Sequence, residues 1–257
     1  MKNDWTPSGV TAIVLAAGKG TRMKSDLPKV LFPVLGRPMI HWVLDALEAA
    51  GIHNQVIVVG YRSELVEAEL KGRSGVRFAL QAQQLGTGHA VQMCRSEIEK
   101  STGPVMVVAG DSPLIQSSSI RELLEIFRSL GPSCMLGTLL KDNPQGLGRI
   151  VRDSSGAFQK IVEQKDATSQ EQQIREVNMS TYLFGRDELL LSLDQLTNEN
   201  AQSEYYLTDC PQKILEAGKL VIAKPVLKPC EALSINTVDE LGAVESKMLE
   251  LGYQCES

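Results

Sequence analysis

The sequence has few cysteines and histidines, and none of them has the spacing of a metal site. Five cysteines are scattered over 257 residues without a Cys-x-x-Cys pair, and the three histidines do not cluster. An odd, unclustered set of cysteines is typical of reduced thiols in a cytoplasmic protein. These absences exclude a zinc finger and a small secreted domain built on disulfides.

Long apolar runs and an excess of positive charge are also absent. The first apolar run, residues 10–17, is too short to span a bilayer, and the sequence before it does not have the pattern of a secretory leader. The formal net charge of −5 argues against broad binding to nucleic acid or to an anionic membrane. We therefore expect a soluble cytoplasmic protein with small-molecule partners. The sequence does not specify an oligomeric state.

Apolar runs that alternate with helical patterns occupy the first half of the chain. Strands are predicted at residues 12–15, 55–59, 76–80 and 105–108, and helices at residues 38–50, 63–70 (with Ser63 as N-cap), 87–99 and around 120–127. Strands that are apolar throughout are buried on both faces, as in a parallel sheet covered by helices. The pattern predicts an α/β fold.

The second half predicts strands separated by polar turns, without a linker between the halves. These strands cover residues 133–139, 148–152, 158–163 and 175–184, with a turn at 153–156 and a surface loop at 166–173. A capping box at Thr237 and Glu240 predicts a C-terminal helix with Leu241, Val244, Met248 and Leu251 facing inward. We expect a single domain over residues 1–257 with a β-rich second lobe.

A glycine-containing loop follows the first predicted strand. Residues 15–23 are LAAGKGTRM, and Lys29 follows shortly after. Gly18 and Gly20 allow close approach of the backbone, whose amide groups can surround an anion, while Arg22 and Lys29 supply positive charge. The sequence is neither a P-loop nor a dinucleotide motif, because Met23 stands where a third glycine belongs. The alternative is a surface loop with solvated cations.

This loop resembles the corresponding motif of the sugar-1-phosphate nucleotidyltransferases, and further motifs follow in the order of that family. They are QAQQLGTGHA (81–90), GDSPL (110–114), GRI (148–150), IVEQKDA (161–167), EVN (176–178), NAQSEYYLTD (200–209) and Asn236. Together they are most similar to the uridylyltransferase domain of the bacterial N-acetylglucosamine-1-phosphate uridylyltransferases. The resemblance covers residues 10–236, the expected catalytic region, and leaves 237–257 as a C-terminal helix and tail.

The resemblance implies a Rossmann-like, mostly parallel sheet of the nucleotide-diphospho-sugar transferase type, with a sugar-binding second lobe. The implied reaction is Mg²⁺-dependent transfer of a uridylyl group from UTP to N-acetylglucosamine 1-phosphate, a step in making cell-wall precursors. The resemblance assigns catalysis to Arg22 and Lys29, and Mg²⁺ binding to Asp111 and Asn236. The residues implied to bind the nucleotide are Leu15, Ala16, Ala17, Gly18, Gly20, Gln81, Gly86 and Thr87.

On the sugar side, the family positions correspond to Gly148, Glu163, Asn178 and Tyr206. Without the resemblance, each predicted site residue has a structural alternative. Asp111 could cap a helix, Gln81 and Thr87 could end a strand and cap a helix, and Tyr206 could be a packing residue. His89 lies in the motif, but the sequence gives it no role.

Two departures from the family pattern concern the acceptor sugar. Ser180 and Ser203 stand where the family usually has glycine, so either side chain could narrow the pocket or change the backbone.

The alternative functions are a nucleotidyltransferase for another sugar phosphate or nucleotide, and a non-catalytic nucleotide-sugar-binding regulatory protein. The sequence contains no hexapeptide repeat, so the acetyltransferase domain of the resembled enzymes is expected to be missing from it.

Overall fold

The computed structural model describes residues 5–20, 26–233, 235 and 238–255. Within them the strands are, in chain order, β1 (Thr11–Leu15), β2 (Pro33–Val34), β3 (Arg37–Pro38), β4 (Asn54–Val59), β5 (Val76–Leu80), β6 (Val105–Ala109), β7 (Cys134–Leu140), β8 (Arg149–Arg152), β9 (Phe158–Val162), β10 (Glu176–Phe184) and β11 (Val221–Lys224). The helices are α1 (Met39–Ala49), α2 (Ser63–Glu69), α3 (Thr87–Gln92), α4 (Arg95–Lys100), α5 (Ser117–Leu130), α6 (Arg186–Leu193), α7 (Cys210–Glu216) and α8 (Val238–Glu250).

A nine-stranded sheet runs through the described part of the chain. Its order is β11-β7-β10-β6-β1-β4-β5, and the β8–β9 hairpin branches from β10. Four of the six neighbouring pairs in that order are parallel, and the two antiparallel pairs both involve β10. The prediction of a mostly parallel sheet flanked by helices is confirmed. The β-rich second half forms no separate sheet, since β7, β10 and β11 extend the main one.

The strand register brings the ends of the parallel strands to one edge of the sheet. Leu15 at the end of β1 lies level with Val58 of β4 and Ala109 of β6. On the far side of β4, Val59 lies level with Leu80 of β5. The segments that follow these strands therefore leave the sheet side by side, where ligands bind in open α/β sheets.

The core lies on both faces of this sheet. In β1, Ala12 and Val14 belong to the same buried cluster as the apolar residues of α1 and α5. Ile13, between them, belongs to the cluster on the opposite face, which includes apolar residues of α3, α4, α6 and α7. Because both faces are covered, β1 is apolar throughout, as its sequence indicates.

Two predicted helix boundaries in the first half are wrong. The helix expected over residues 87–99 is two short helices, α3 and α4, because the chain turns at Cys94, whose N–H donates to the carbonyl of Val91. Ser63 is the first residue of α2 rather than its N-cap, and Arg62 precedes it with φ of 47°. The other predicted strands and helices of this half are present, with ends shifted by a few residues at most.

The C-terminal helix α8 packs against β2 and the start of α1. Val244 and Met248 are buried against Leu35 and Met39, as predicted. Leu251 lies beyond the end of the helix and is 44% exposed, so its predicted inward position is wrong. The predicted capping residue Thr237 lies outside the described residues. No helix in the described ranges is long and apolar enough to cross a membrane.

The buried carboxylate of Glu231 joins the segment after β11 to the start of α5. It accepts hydrogen bonds from the backbone N–H of Gln116 (3.0 Å) and of Lys228 (2.7 Å) and from the Ser119 hydroxyl (2.7 Å). Burial raises the pKa of Glu231, although these hydrogen bonds oppose the shift. The carboxylate thus satisfies donors at a helix N-terminus, where negative charge is also favoured by the helix dipole.

We predict that Glu231→Ala lowers the free energy of unfolding by about 2–3 kcal/mol, because it leaves these donors without their acceptor. Urea unfolding followed by circular dichroism measures the change. Glu231→Gln, which keeps one acceptor oxygen, should cost less, and Glu125→Ala on the exposed face of α5 should change stability little. Equal losses for Glu231→Ala and Glu125→Ala would contradict the assignment.

Candidate active site

A cavity of about 370 Å³ lies at the sheet edge where β1, β5 and β6 end. Of the residues predicted to bind nucleotide, those that line it are Leu15, Ala16, Ala17, Gly18, Gln81, Gly86 and Thr87, together with Lys29 and Asp111. These residues come from segments up to 96 positions apart in the sequence (Leu15 to Asp111). The strand register described above is what brings them together.

The glycine loop after β1 closes onto Lys29. Gly20 has φ of +64°, and a Cβ built on it would lie 2.7 Å from the Lys29 Cβ. Glycine is therefore required there by both conformation and space. Gly20 does not line the cavity itself but packs behind the lysine that does. Arg22, the second predicted cation, lies outside the described residues.

Lys29 forms an ion pair across the cavity with the carboxylate at the end of β6. Its Nζ lies 2.5 Å from Asp111 Oδ2, and the side chains are 14% and 30% exposed. The alternative interpretation of Asp111 as a helix cap is wrong, because α5 begins only at Ser117, after Gln116. The structure thus places a lysine and a carboxylate in direct contact on the cavity wall.

Asp111 is also the described residue best suited to hold a divalent cation. Lys29 occupies Oδ2, and within the described residues Oδ1 accepts no hydrogen bond. The described ranges contain no group of three or more His, Cys, Asp or Glu side chains that could hold a metal. Mg²⁺ binds few protein ligands and completes its shell with waters and phosphate oxygens, so a single carboxylate on this wall fits it. Asn236, the predicted second ligand, lies outside the described residues.

The turn between β5 and α3 forms the other side of the cavity. The Gln81 side-chain amide donates from Nε2 to the carbonyl of Gly86 (3.0 Å) and to Nδ1 of His89 (3.1 Å). Gly86 has φ of +110°, and an added Cβ would lie 2.6 Å from the Tyr205 carbonyl oxygen. The Thr87 hydroxyl oxygen accepts from the Leu207 N–H (3.1 Å), so it supports this turn as well as lining the cavity.

Three of the predicted sugar-binding residues lie together on the β8–β9–β10 side. The Asn178 N–H donates to the Gly148 carbonyl (2.9 Å), and a Cβ on Gly148 would lie 3.6 Å from Glu163 Oε1. The amide of Asn178 already has two internal partners, the Tyr182 hydroxyl (2.6 Å) and the Ser180 N–H (3.3 Å). It keeps one further N–H and one lone pair for a ligand.

Burial raises the pKa values of two of the predicted sugar-binding residues, Glu163 and Tyr206. Burial raises the pKa of Glu163, a bond from the Thr208 hydroxyl (3.1 Å) opposes the shift, and the neighbouring carboxylates add to it. Tyr206 is buried, and its pKa rises to about 12 through burial first and the charges of Asp166 and Glu163 second. None of the four predicted sugar-binding residues lines the cavity itself.

A family model described as the MobA-like NTP transferase domain matches residues 12–199. The chain belongs to this family. The segment that matches the MobA-like family includes the glycine loop, Lys29, the Gln81 turn and Asp111. The expectation of a nucleotidyltransferase family is thereby confirmed.

Curated relatives and solved structures agree with the MobA-like fold. Bifunctional protein GlmU of Streptococcus suis is 45% identical over 92% of this chain, and that of Heliobacterium modesticaldum is 44% identical over 92%. The chain spans about half the length of these relatives, 51% of each. A Bacillus anthracis structure described as a glucose-1-phosphate thymidylyltransferase has a TM-score of 0.75 at 20% identity, covering 93% of this chain and 94% of that one. Apo UDP-glucose pyrophosphorylase has a TM-score of 0.74 at 15% identity, covering 95% and 100%.

Several residues that line the cavity were not predicted. They are Val30, Gln84, Ala90, Ala109 and Glu204. Gln84 and Glu204 lie within motifs that carry the resemblance, so the motifs were the available signal. The Gln84 amide donates to the Ala17 carbonyl (3.2 Å) and thus joins the β5–α3 turn to the glycine loop.

Ser180 occupies a bulge in β10 that faces the cavity. The register of β10 against β7 shifts between Asn178 and Thr181, and Ser180 has φ of +52°. Ser203, the other residue that replaces a family glycine, has φ of +54°. Both serines therefore keep a left-handed backbone that glycine adopts at lower cost. At Ser180 the serine also adds a side chain to the cavity wall.

We predict that Ser180→Gly and Ser203→Gly each raise the free energy of unfolding by about 0.5–1 kcal/mol. Relief of the left-handed conformation exceeds the entropy that glycine adds to the unfolded chain. Ser129→Gly, within α5, is the control and should lower stability by a similar amount, since that backbone is helical. Urea denaturation of the three variants measures the changes. Destabilisation by all three substitutions would contradict the assignment of backbone strain to Ser180 and Ser203.

Proposed function

We propose that this MobA-like domain transfers a uridylyl group from UTP to N-acetylglucosamine 1-phosphate, in the cytoplasm, giving UDP-N-acetylglucosamine and pyrophosphate. The observation that supports it best is the convergence of the glycine loop, the Gln81 turn and the Lys29–Asp111 pair on one cavity. The 44–45% identity to the two GlmU proteins and the motifs shared with uridylyltransferases support the choice of substrates.

In the proposed reaction, a phosphate oxygen of the sugar phosphate attacks the α-phosphorus of UTP. The new P–O bond forms as the bond from the α-phosphorus to the bridging oxygen breaks, and that electron pair leaves with pyrophosphate. The attacking oxygen is already anionic, so no general base is needed, and the protein contributes positioning and neutralisation of charge. Lys29 would bind phosphate oxygens, the backbone of residues 16–20 would surround them, and Arg22 is proposed to share this role.

We propose Asp111, with Asn236, as the residues that hold Mg²⁺. When bound, the ion neutralises phosphate charge and favours departure of pyrophosphate. Lys29 is already paired with Asp111 on the cavity wall. Binding of the triphosphate and the cation would replace this pair by two others on the same wall, Lys29 with phosphate and Asp111 with the cation.

The proposed sugar site is the group of Gly148, Glu163, Asn178 and Tyr206. Its carboxylate and amide can bind sugar hydroxyls and the N-acetyl group. Ser180 lines the cavity two positions after Asn178, and its side chain is the feature that could favour a different acceptor. A different sugar 1-phosphate or nucleotide is thus the second candidate function.

A panel of nucleoside triphosphates and sugar 1-phosphates, with Mg²⁺ and detection of pyrophosphate, tests the reaction. We expect the fastest release with UTP and N-acetylglucosamine 1-phosphate. Release with another acceptor would retain nucleotidyl transfer and reject the sugar. No release with any pair, together with calorimetric binding of UDP-N-acetylglucosamine, would favour the non-catalytic regulatory protein.

We predict that Asp111→Ala lowers kcat by a factor on the order of 100 or more, since it removes the carboxylate that is proposed to hold Mg²⁺ beside the reacting phosphates. The circular dichroism spectrum should stay unchanged, because the side chain is partly exposed and lies outside the core. Asp187→Ala, at an exposed carboxylate on α6, is the matched control and should keep normal turnover. Near-normal activity of Asp111→Ala would remove Asp111 from the metal site.

A further inference from the structure

The side-chain amide of Gln81 is held in one orientation by two acceptors on the next helix. Its Nε2 donates to the Gly86 carbonyl at 3.0 Å and lies 3.1 Å from His89 Nδ1. A carbonyl oxygen can only accept a hydrogen bond, so the amide nitrogen, not the oxygen, must face Gly86. The second amide N–H then points at His89 Nδ1, which can accept it through a ring lone pair.

Both acceptors are fixed by the first turn of α3. The Gly86 carbonyl also accepts from the Ala90 N–H (3.1 Å), and the His89 ring lies 6.4 Å from the Tyr205 ring, centre to centre. The turn itself is held by Tyr205, whose carbonyl accepts from the Gly88 N–H (2.7 Å) and whose N–H donates to Leu85 (2.8 Å). The Gly86 carbonyl, which belongs to the backbone of this turn, therefore stays an acceptor at the same place if the amide rotates.

This arrangement determines which atom of Gln81 a ligand meets. Gln81 is 3% exposed and lines the cavity, and among the described residues its Oε1 accepts no hydrogen bond. With both N–H groups taken, the amide presents an acceptor to the cavity. The N3 atom of uracil carries a hydrogen and can donate to it, whereas N3 of cytosine in the same position carries a lone pair and is repelled.

We infer that His89 is a positioning residue for nucleotide selection: it holds the Gln81 amide so that Oε1 selects a base with N3–H over cytosine. The inference rests on the proposed function, because it assumes that the cavity takes the base of a nucleotide. The inference gives His89 a role that the sequence alone does not indicate. Rotation of the amide by 180° would present N–H groups, which suit cytosine.

The test is the ratio of kcat/KM for UTP to that for CTP. His89→Phe keeps a ring beside Tyr205 but removes the acceptor, and it should lower the ratio by about tenfold, as expected for one hydrogen bond. His89→Asn carries Oδ1 at the position of Nδ1 and should stay within about threefold of the original ratio. Gln92→Leu removes a different contact of α3, the bond to the Leu193 carbonyl (2.8 Å), and should leave the ratio unchanged.

A His89→Phe enzyme that is slower with both nucleotides but keeps the original ratio would overturn the inference, since it would show packing alone. The inference would also be overturned if the enzyme without substitutions turned over UTP and CTP equally well. If no nucleotide is turned over, the proposed function fails, and calorimetric binding of UTP and CTP to the same four proteins decides the inference. A ratio of binding constants that is insensitive to His89→Phe, or no binding of either nucleotide, would then reject it.

Discussion

The alignment of β1 with β4 and β6 is the constraint on which the site depends. Leu15, Val58 and Ala109 lie level, so the glycine loop and the segment of Asp111 begin at the same height above the sheet. Backbone hydrogen bonds fix this register, and the close packing of side chains on both faces resists a slip by one residue, which would exchange the side chains of the two faces. The register places Asp111 just beyond Ala109 at the end of β6, where Lys29, from the segment after β1, pairs with it.

The opposite wall of the cavity depends on contacts between loops rather than on strand pairing. Residues 204–207 support the turn between β5 and α3 through backbone hydrogen bonds and through the Thr87 hydroxyl. Gly86 is required at that contact because the Tyr205 backbone leaves no room for a side chain. The part of the site proposed to contact the base is therefore built by two segments more than 100 positions apart.

Apolar runs and helical spacing predicted the first half of the fold well, because buried strands and amphipathic helices impose local patterns. The turn at Cys94 escaped prediction, since residues 87–99 have a continuous helical composition. The short strand β11 escaped as well, because only its pairing with β7 defines it. The motifs located most residues that line the cavity, but they gave no indication of the bulge at Ser180 or of the contact between Gln81 and His89. Both features depend on how separate elements meet, which no local pattern encodes.

The ion pair between Lys29 and Asp111 has a thermodynamic consequence for the order in which ligands bind. An anion that draws Lys29 away leaves the Asp111 carboxylate with unbalanced charge, and this raises its affinity for a cation. A cation that binds Asp111 first releases Lys29 to an anion in the same way. Linkage requires the two effects to be equal, so the pair couples the two binding events even before the ligands contact each other.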